Sequence, residues 1–388
     1  MTGPPALLCV ANFPSGTGYA WDFIESLYGG LADRLEPRGI PCFVAYPRLD
    51  APPRALTGTA ARPVEAAFRP GRPAGTLRAC RLIRRMGVRV LYLSDRPAWH
   101  ASYALLRLAG VRRIIVHDHT SGERTRPGPM RRVLKRARNS IPGCLADHVI
   151  AVSDFVARRK RTVDLVPAER VERIWNSIEI PPDDGADVDS KSRSIRRELG
   201  LSPTRPIVAC ACRASPSKGV DHLFLAFDRL AAGYPPDAGP VLLYAGEGPM
   251  LDELRSVRDG LAARADIHIL GYRTDAPDLL GAAHVVAVPS TWAEAFGLAA
   301  LEPMSRGRPV VASRSGGLSE VVSDGETGLL VAPRDVAALA AALAKLIDDD
   351  ELREEMGRNA RRRARNLFAR EQQLDRLEEL VVSCFSGV

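Results

Sequence analysis

HVVAVPSTWAEAFGLAALEPMSRGRPVVASRSGG, residues 284–317, decides the fold. It opens on a continuous apolar, β-branched run at 284–290 and closes on a second at 308–313. Runs of that length bounded by Gly and Pro read as strands buried on both faces. Between them lies a helical pattern beginning near Phe296-Gly297 and ending near Arg306. Strand, helix and strand in that order imply a parallel pair with a crossover.

The same alternation continues in both directions. Strand-like runs are expected at 6–11, 42–47, 88–94, 112–119 and 147–153 in the first half. Further runs are expected at 205–214, 240–248, 266–272 and 328–331 in the second. The fold class is therefore α/β, with two doubly wound Rossmann-like domains facing across a cleft. The expected organisation is one such domain at 1–180, a Pro-, Asp- and Ser-rich linker at 181–200 with a short helix near RRELG, and a second at 201–365. One long amphipathic helical pattern covers 352–385, and its end, 366–388, is compatible with packing back on the first domain.

The chain of 388 residues has 46% hydrophobic and 26% charged residues and a formal net charge of +8. That charge is uneven: residues 1–180 hold 29 Lys+Arg against 15 Asp+Glu, and residues 181–388 hold 25 against 31. An excess of +14 in the first half suits a polyanionic partner or an arginine-rich solvated face. No apolar run approaches the roughly 20 residues of a membrane span. The N-terminus lacks a basic segment ahead of its short apolar run, so a cytoplasmic location is expected. Seven scattered cysteines suggest buried thiols, with no disulfide framework or zinc site. Cys210 and Cys212 are expected on opposite faces of their strand.

Open parallel sheets bind ligands at the carboxyl ends of their strands, so the loops there carry the information. After the 284–290 strand, Glu294 precedes the helix and Glu302 lies two turns beyond it. Ionised carboxylates accept hydrogen bonds from ligand hydroxyls, and helix-start amides favour an anion such as a diphosphate. Pro303 removes one helical hydrogen bond beside Glu302. In ACRASPSKGVD (211–221), Arg213 and Lys218 flank a strand-to-helix turn and form a candidate phosphate clamp. Gly316 and Gly317 are expected to let backbone approach a ligand. Gly16 and Gly18 of NFPSGTGY (12–19) lie after the first strand, short of a complete dinucleotide or P-loop pattern. His117, Asp118 and His119 end the fourth strand without an identifiable third ligand, so no metal is expected.

These segments resemble glycosyltransferase family 4, retaining enzymes of the two-domain GT-B fold. CRASPSKGVD, YAGEGPM, LGYRTD, the 285–317 stretch and SEVVSDGETGLLVAPRD stand in family order over roughly 205–340. ADHVIAVSDFVARR and RIWNSIEI add to the likeness upstream, whereas the first 145 residues match loosely. The resemblance implies that Arg213 and Lys218 bind the donor diphosphate. It places Glu302 on the ribose, Glu294 on sugar hydroxyls, and backbone amides near Phe296, Gly297 and Leu298 on sugar and phosphate. Tyr272 and Arg273 would border the base, Gly16 and Gly18 the sugar-phosphate, and His119 the substrate hydroxyls. The catalytic set so implied is His119, Glu294, Arg213 and Lys218. Departures are Pro303 where alanine is usual, Asn176-Ser177 where Asn-Gly is commoner, and Gly-Thr-Gly in place of paired glycines.

The implied activity is transfer of a sugar from a nucleotide-diphosphate sugar, UDP first and GDP second, to a hydroxyl on a glycan, glycolipid or small molecule. The configuration would be retained, with no cofactor. Alternatives are a nucleotide-sugar epimerase of the same fold and a non-enzymatic polyanion binder. The latter lacks aromatic residues interleaved with the arginines, so nucleic acid is not an expected partner. The basic segment PMRRVLKRARNSIPG (129–143) suits peripheral contact with an anionic membrane face.

Overall fold

The computed structural model describes residues 4–16, 18–66, 68, 73–182, 185–235 and 238–386. The chain divides into two compact units. The first comprises Met1–Thr120, Arg124–Trp175 and Glu371–Val388; the second comprises Ser121–Glu123 and Asn176–Arg370.

The first unit is built on a parallel sheet of β1 (Ala6–Val10), β2 (Cys42–Tyr46), β3 (Arg62–Glu65), β4 (Val88–Ser94), β5 (Arg113–Asp118), β6 (His148–Ala151) and β7 (Val171–Arg173). Their spatial order is β3-β2-β1-β4-β5-β6-β7. The second unit holds β8 (Ile207–Ala211), β9 (Val241–Ala245), β10 (Ile267–Ile269), β11 (Val285–Val288), β12 (Val310–Ser313) and β13 (Gly328–Val331), ordered β10-β9-β8-β11-β12-β13. In each sheet the order reverses beside the first strand, between β1 and β4 and between β8 and β11. Such a reversal opens a ligand crevice at the strands' carboxyl ends.

The eleven apolar runs all form strands. Two further strands, β3 and β7, occupy sheet edges, and their sequences, RPVE and VER, carry no apolar run. Little of either strand is buried, so no apolar run marks them, whereas the edge strands β10 and β13 of the second sheet keep theirs. Cys210 and Cys212 correct the expected placement: residues two apart in a strand share a face, and their sulfurs lie 3.7 Å apart.

Residues expected as a linker contain a helix, Gly185–Glu198, packed on the helix Ala276–Ala282. The helical pattern at 352–385 is two helices, Asp350–Leu367 and Arg370–Phe385. Between them Ala369 forms a parallel bridge with Ile178: Ile178 N donates to Phe368 O at 3.0 Å and Arg370 N to Ile178 O at 3.0 Å. The second helix buries Leu374, Leu377, Val381 and Cys384 in the core of the first unit, with Leu27, Tyr28 and Leu31. Gly30 makes room for it, since a Cβ there would meet Leu374 Cδ1 at 2.9 Å. Arg34 adds ion pairs to Glu371, Asp375 and Glu378. No described helix is long and apolar enough to cross a membrane.

Candidate functional site

The site grows from the loops after β8 and β11, the two strands at the reversal in the second sheet. After β8 the chain makes a short turn, Pro216–Lys218, and leaves it through Gly219 at φ 64°. A Cβ on Gly219 would lie 2.2 Å from Pro289 O, so only glycine lets this turn rest on the loop after β11. Thr291 fastens the two loops, donating its N–H to Ser217 O at 3.0 Å and its hydroxyl to Pro216 O at 2.8 Å.

This docking brings Lys218 to Glu294. Nζ lies 2.6 Å from Glu294 Oε1, and the Ser290 hydroxyl donates to the same oxygen at 2.7 Å. Burial works against the Lys218 ammonium, but the neighbouring carboxylate outweighs it and holds the lysine above its ordinary pKa. Arg213 is exposed and makes no ion pair or hydrogen bond among the described residues. The loop after β8 thus carries one uncommitted guanidinium and one lysine charge-paired with the loop after β11.

The glycine pair after β12 packs against protein backbone. Gly316, at φ 57°, forms a parallel bridge with Glu294, and Gly317 N donates to Glu294 O at 2.8 Å. Added Cβ atoms would lie 2.3 Å from Glu294 O and 2.5 Å from Ala295 O respectively. Both glycines admit protein backbone and thereby position Glu294. Gly246 and Gly248 do the same beside Cys212 and Ala214, where Cβ atoms would meet carbonyl oxygens at 1.9 and 2.4 Å.

Gly297, at φ 125°, starts the helix Leu298–Ser305 without a side-chain cap. The amides of Leu298 and Ala299 donate to no group among the described residues, as the first turn of a helix dictates. Phe296 offers only its backbone, because its ring is buried edge-on against Phe368 with centroids 5.5 Å apart. Glu302 is the fifth residue of this helix, just over one turn in, where two turns were expected. Burial raises its carboxyl pKa to about 7, with Arg306 pulling the other way. Pro303 lies inside the helix, and Ser305 and Arg306 bond back to the Glu302 and Pro303 carbonyls at 2.7 and 3.0 Å.

Tyr272 is 63% exposed. Arg273 is committed to protein: it contacts Glu198 at 2.6 Å and Asp275 at 2.7 Å, and these hydrogen bonds raise its pKa. The three-residue segment Ser121–Glu123 also touches the Glu294 stretch. Gly122 N donates to Ala293 O at 2.7 Å and Ala295 N to Ser121 Oγ at 3.2 Å. Gly122, at φ 99°, would place a Cβ 2.6 Å from the Trp292 ring. Sequence reading missed Ser121, Gly122 and Ser290. For Ser290 a signal existed, since it is four residues before Glu294 at the end of a strand pattern.

In the first unit, Gly16 and Gly18 follow β1 at φ 74° and 112°. A Cβ on Gly18 would meet nothing within 4 Å, so its backbone conformation alone calls for glycine. Thr17, between them, lies outside the described residues. His117 and His119 face the same way, with ring centroids 4.0 Å apart. Burial lowers the pKa of both. His117 Nδ1 meets Tyr92 Oη at 2.6 Å, and His119 N donates to Asp95 Oδ1 at 2.7 Å. The Nε2 atoms of both histidines are enclosed without a hydrogen-bond partner. No group of three His, Cys, Asp or Glu that could hold a metal occurs among the described residues.

Two family models match the chain. Residues 191–363 match "Glycosyl transferases group 1" and residues 25–180 match "Glycosyltransferase Family 4". A D-inositol 3-phosphate glycosyltransferase of Corynebacterium efficiens is 38% identical over 209 residues, 52% of this chain and 49% of that one. A GDP-mannose-dependent phosphatidylinositol monomannoside mannosyltransferase of Mycolicibacterium smegmatis is 32% identical over 265 residues, 65% of each. The chain therefore spans about half the length of the first of these relatives and slightly less than two-thirds of the second. Among solved structures, a glycosyltransferase of Rickettsia africae superposes with a TM-score of 0.82 at 19% identity, over 99% of both chains. The Anabaena protein HepE, crystallised with UDP, does so at 0.76 and 20% identity, over 98% of this chain and 100% of that one.

Proposed function

This chain belongs to glycosyltransferase family 4 and has the GT-B fold; from that premise we propose that it transfers a sugar from a nucleotide-diphosphate sugar to an acceptor hydroxyl with retention of configuration. The observation that carries the reading is the pairing of Lys218, after β8, with Glu294, after β11 and just ahead of an uncapped helix start, with Arg213 in the same loop as Lys218.

In this reading Arg213 and Lys218 hold the donor diphosphate and stabilise the charge that develops as it departs. The amides at the start of the helix Leu298–Ser305 add oriented N–H donors, so the leaving group is met by fixed dipoles. Lys218 is already held charged by Glu294. Binding of a diphosphate gives that ammonium a second anionic partner and leaves a Glu294 oxygen to accept from sugar hydroxyls. Glu302, one turn further, accepts from the ribose. Tyr272 borders the base, whereas Arg273 keeps Glu198 and Asp275 as partners and shapes that border. Within the first unit, Gly16 and Gly18 after β1 and His119 after β5 are the candidate substrate contacts. No metal or other cofactor is part of this scheme, since cationic side chains neutralise the diphosphate.

UDP-sugar is the first donor assignment and GDP-sugar the second. HepE was crystallised with UDP, and the M. smegmatis relative is named for GDP-mannose. Calorimetric titration with UDP-, GDP- and ADP-sugars tests the reading. Failure of all three to bind at millimolar concentration overturns it, and an inverted anomeric centre in the product, read by NMR, overturns retention.

A peripheral membrane contact belongs to the same proposal. The helix Pro129–Asn139 turns its polar side to the protein: Lys135 donates to Val163 O at 2.8 Å, and Asn139 to Asp164 O and Leu165 O at 3.0 Å. Its apolar residues face outward, with Met130 78%, Val133 66% and Leu134 62% exposed, beside Arg131, Arg132 and Arg136. Apolar side chains ringed by arginine suit an anionic lipid surface. Co-sedimentation with phosphatidylglycerol vesicles is expected, and its persistence in a Met130→Ser, Val133→Ser, Leu134→Ser variant overturns this surface.

A further inference from the structure

A second cavity, of about 240 Å³, opens wholly within the first unit. It lies at the carboxyl ends of β4 and β5, next to the reversal in that sheet, where open α/β sheets take their ligands. Asp95 follows β4 directly, and it is one of few non-glycine residues with positive φ, at 55°. Its N–H donates to His117 O at 2.9 Å and its carboxylate accepts from His119 N at 2.7 Å, which together hold the strained backbone in place.

The charges around the cavity sort into two groups. The acidic ones are already satisfied. Asp118 is paired with Lys160 at 2.5 Å and Arg159 at 3.2 Å, and accepts from the Thr120 hydroxyl at 2.5 Å. Although burial opposes it, these partners pull its pKa down to about 2, so it stays ionised and neutralises its neighbours. Asp164 takes Lys160 at 3.2 Å and Lys135 at 3.8 Å. Of the three arginines on the wall, Arg96 donates to Phe68 O at 3.5 Å, and the other two are left over. Arg124 and Arg138 have no carboxylate within ion-pair distance among the described residues. Arg138 lies over the Trp99 ring, 4.8 Å from its centroid, which fixes the guanidinium plane. Arg138 Nε and Trp99 Nε1 are both enclosed, and neither has an acceptor among the described residues. The cavity wall therefore supplies unspent N–H donors and positive charge, and its carboxylates are spoken for.

We propose that this cavity binds a phosphate group carried by the acceptor, with Arg138 and Arg124 as its principal partners. A phosphate presents several acceptor oxygens in the geometry that a guanidinium fork matches in pairs. A stacked arginine is pre-organised for that match, whereas a neutral polyol would leave both guanidinium charges uncompensated. The assignment of the ligand as acceptor rests on the glycosyltransferase reading; the phosphate site itself does not.

The test uses the full chain saturated with UDP, so that the donor site is filled, and titrates inorganic phosphate, glycerol 3-phosphate and a short-chain monomeric phosphatidic acid by calorimetry. Binding of at least one is expected at millimolar concentration or tighter. Arg124→Gln and Arg138→Gln are each expected to weaken it about tenfold, with UDP affinity unchanged. Arg138→Lys, which keeps the charge and loses the fork, guards against a folding defect and should weaken it by less. Tighter binding of glycerol 3-phosphate supports the site with a soluble acceptor, and tighter binding of phosphatidic acid supports it with a lipid one. The proposal is overturned if none of the three binds, if binding survives the double variant, or if it is lost in Arg213→Gln instead. Should UDP fail to bind while phosphate binds through Arg138, the donor reading fails and the phosphate site stands.

Discussion

Lys218 Nζ lies 2.6 Å from Glu294 Oε1, although 76 residues separate them in the chain. The pair is partly shielded, with side-chain exposures of 29% and 16%. Lys218→Met leaves the Glu294 carboxylate with only Ser290 as a hydroxyl donor. The expected loss of stability is on the order of 1 kcal/mol, read as a fall in Tm. Turnover should fall by roughly 100-fold or more, as removal of a charge stabiliser does. Adding Glu294→Gln should restore part of the Tm and none of the turnover. A double variant whose Tm is the sum of two independent losses refutes the coupling.

Glu302 makes stability and donor binding depend on pH in opposite directions. Its folded pKa of about 7 lies above its ordinary value of 4.5, so the native state holds the proton more tightly. The stability this gives is complete below the ordinary value and is lost as pH rises through about 7. Glu302→Gln should therefore narrow the Tm difference between about pH 5 and about pH 8.5. UDP affinity should rise with deprotonation in the parent protein and become flat and roughly tenfold weaker in the variant. Equal pH profiles for the two proteins would exclude a ribose role for the carboxylate.

Gly219 and Gly271 separate backbone conformation from packing. Both have positive φ, 64° and 69°, but a Cβ on Gly219 would strike Pro289 O at 2.2 Å and one on Gly271 would meet nothing within 4 Å. Gly271→Ala should cost about 1 kcal/mol for its backbone alone. Gly219→Ala should cost clearly more and lower turnover, because it pushes the Lys218 turn off the loop after β11. Chemical denaturation of the two variants checks the order; equal losses contradict it.

Arg273 binds Glu198 and Asp275 strongly enough that a ligand must compete for it. Arg273→Ala is expected to lower stability by about 1 kcal/mol, the usual scale for pairs that reach the surface, and to change UDP affinity less than Tyr272→Ala does. Calorimetry on both variants decides, and a larger effect at Arg273 would mean that the guanidinium leaves its acidic partners for the base.

Local chemistry made much of this molecule readable from sequence. Continuous β-branched runs gave eleven strands, since strands covered on both faces need apolar side chains throughout. The segments after them contained Arg213, Lys218 and Glu294 in loops and Glu302 in the helix that follows, because ligand-facing residues of such sheets cluster beyond the strand ends. The edge strands β3 and β7 were silent for the converse reason: little buries them, so no apolar period records them. The helical pattern at 352–385 showed amphipathicity but not the break at Phe368-Ala369, which arises from pairing with Ile178, nearly two hundred residues earlier.

The sequence by itself determined the alternation of strand and helix, and with it the doubly wound architecture, because periodicity is a property of neighbouring residues. Only the tertiary structure decided what each polar group meets. It set Lys218 on Glu294, turned Gly316 and Gly317 toward protein backbone, spent Arg273 on two carboxylates and left Arg124 and Arg138 without any among the described residues. Those outcomes depend on which loops the packed sheets bring to within 3 Å of one another, and contact at that range follows from the fold as a whole.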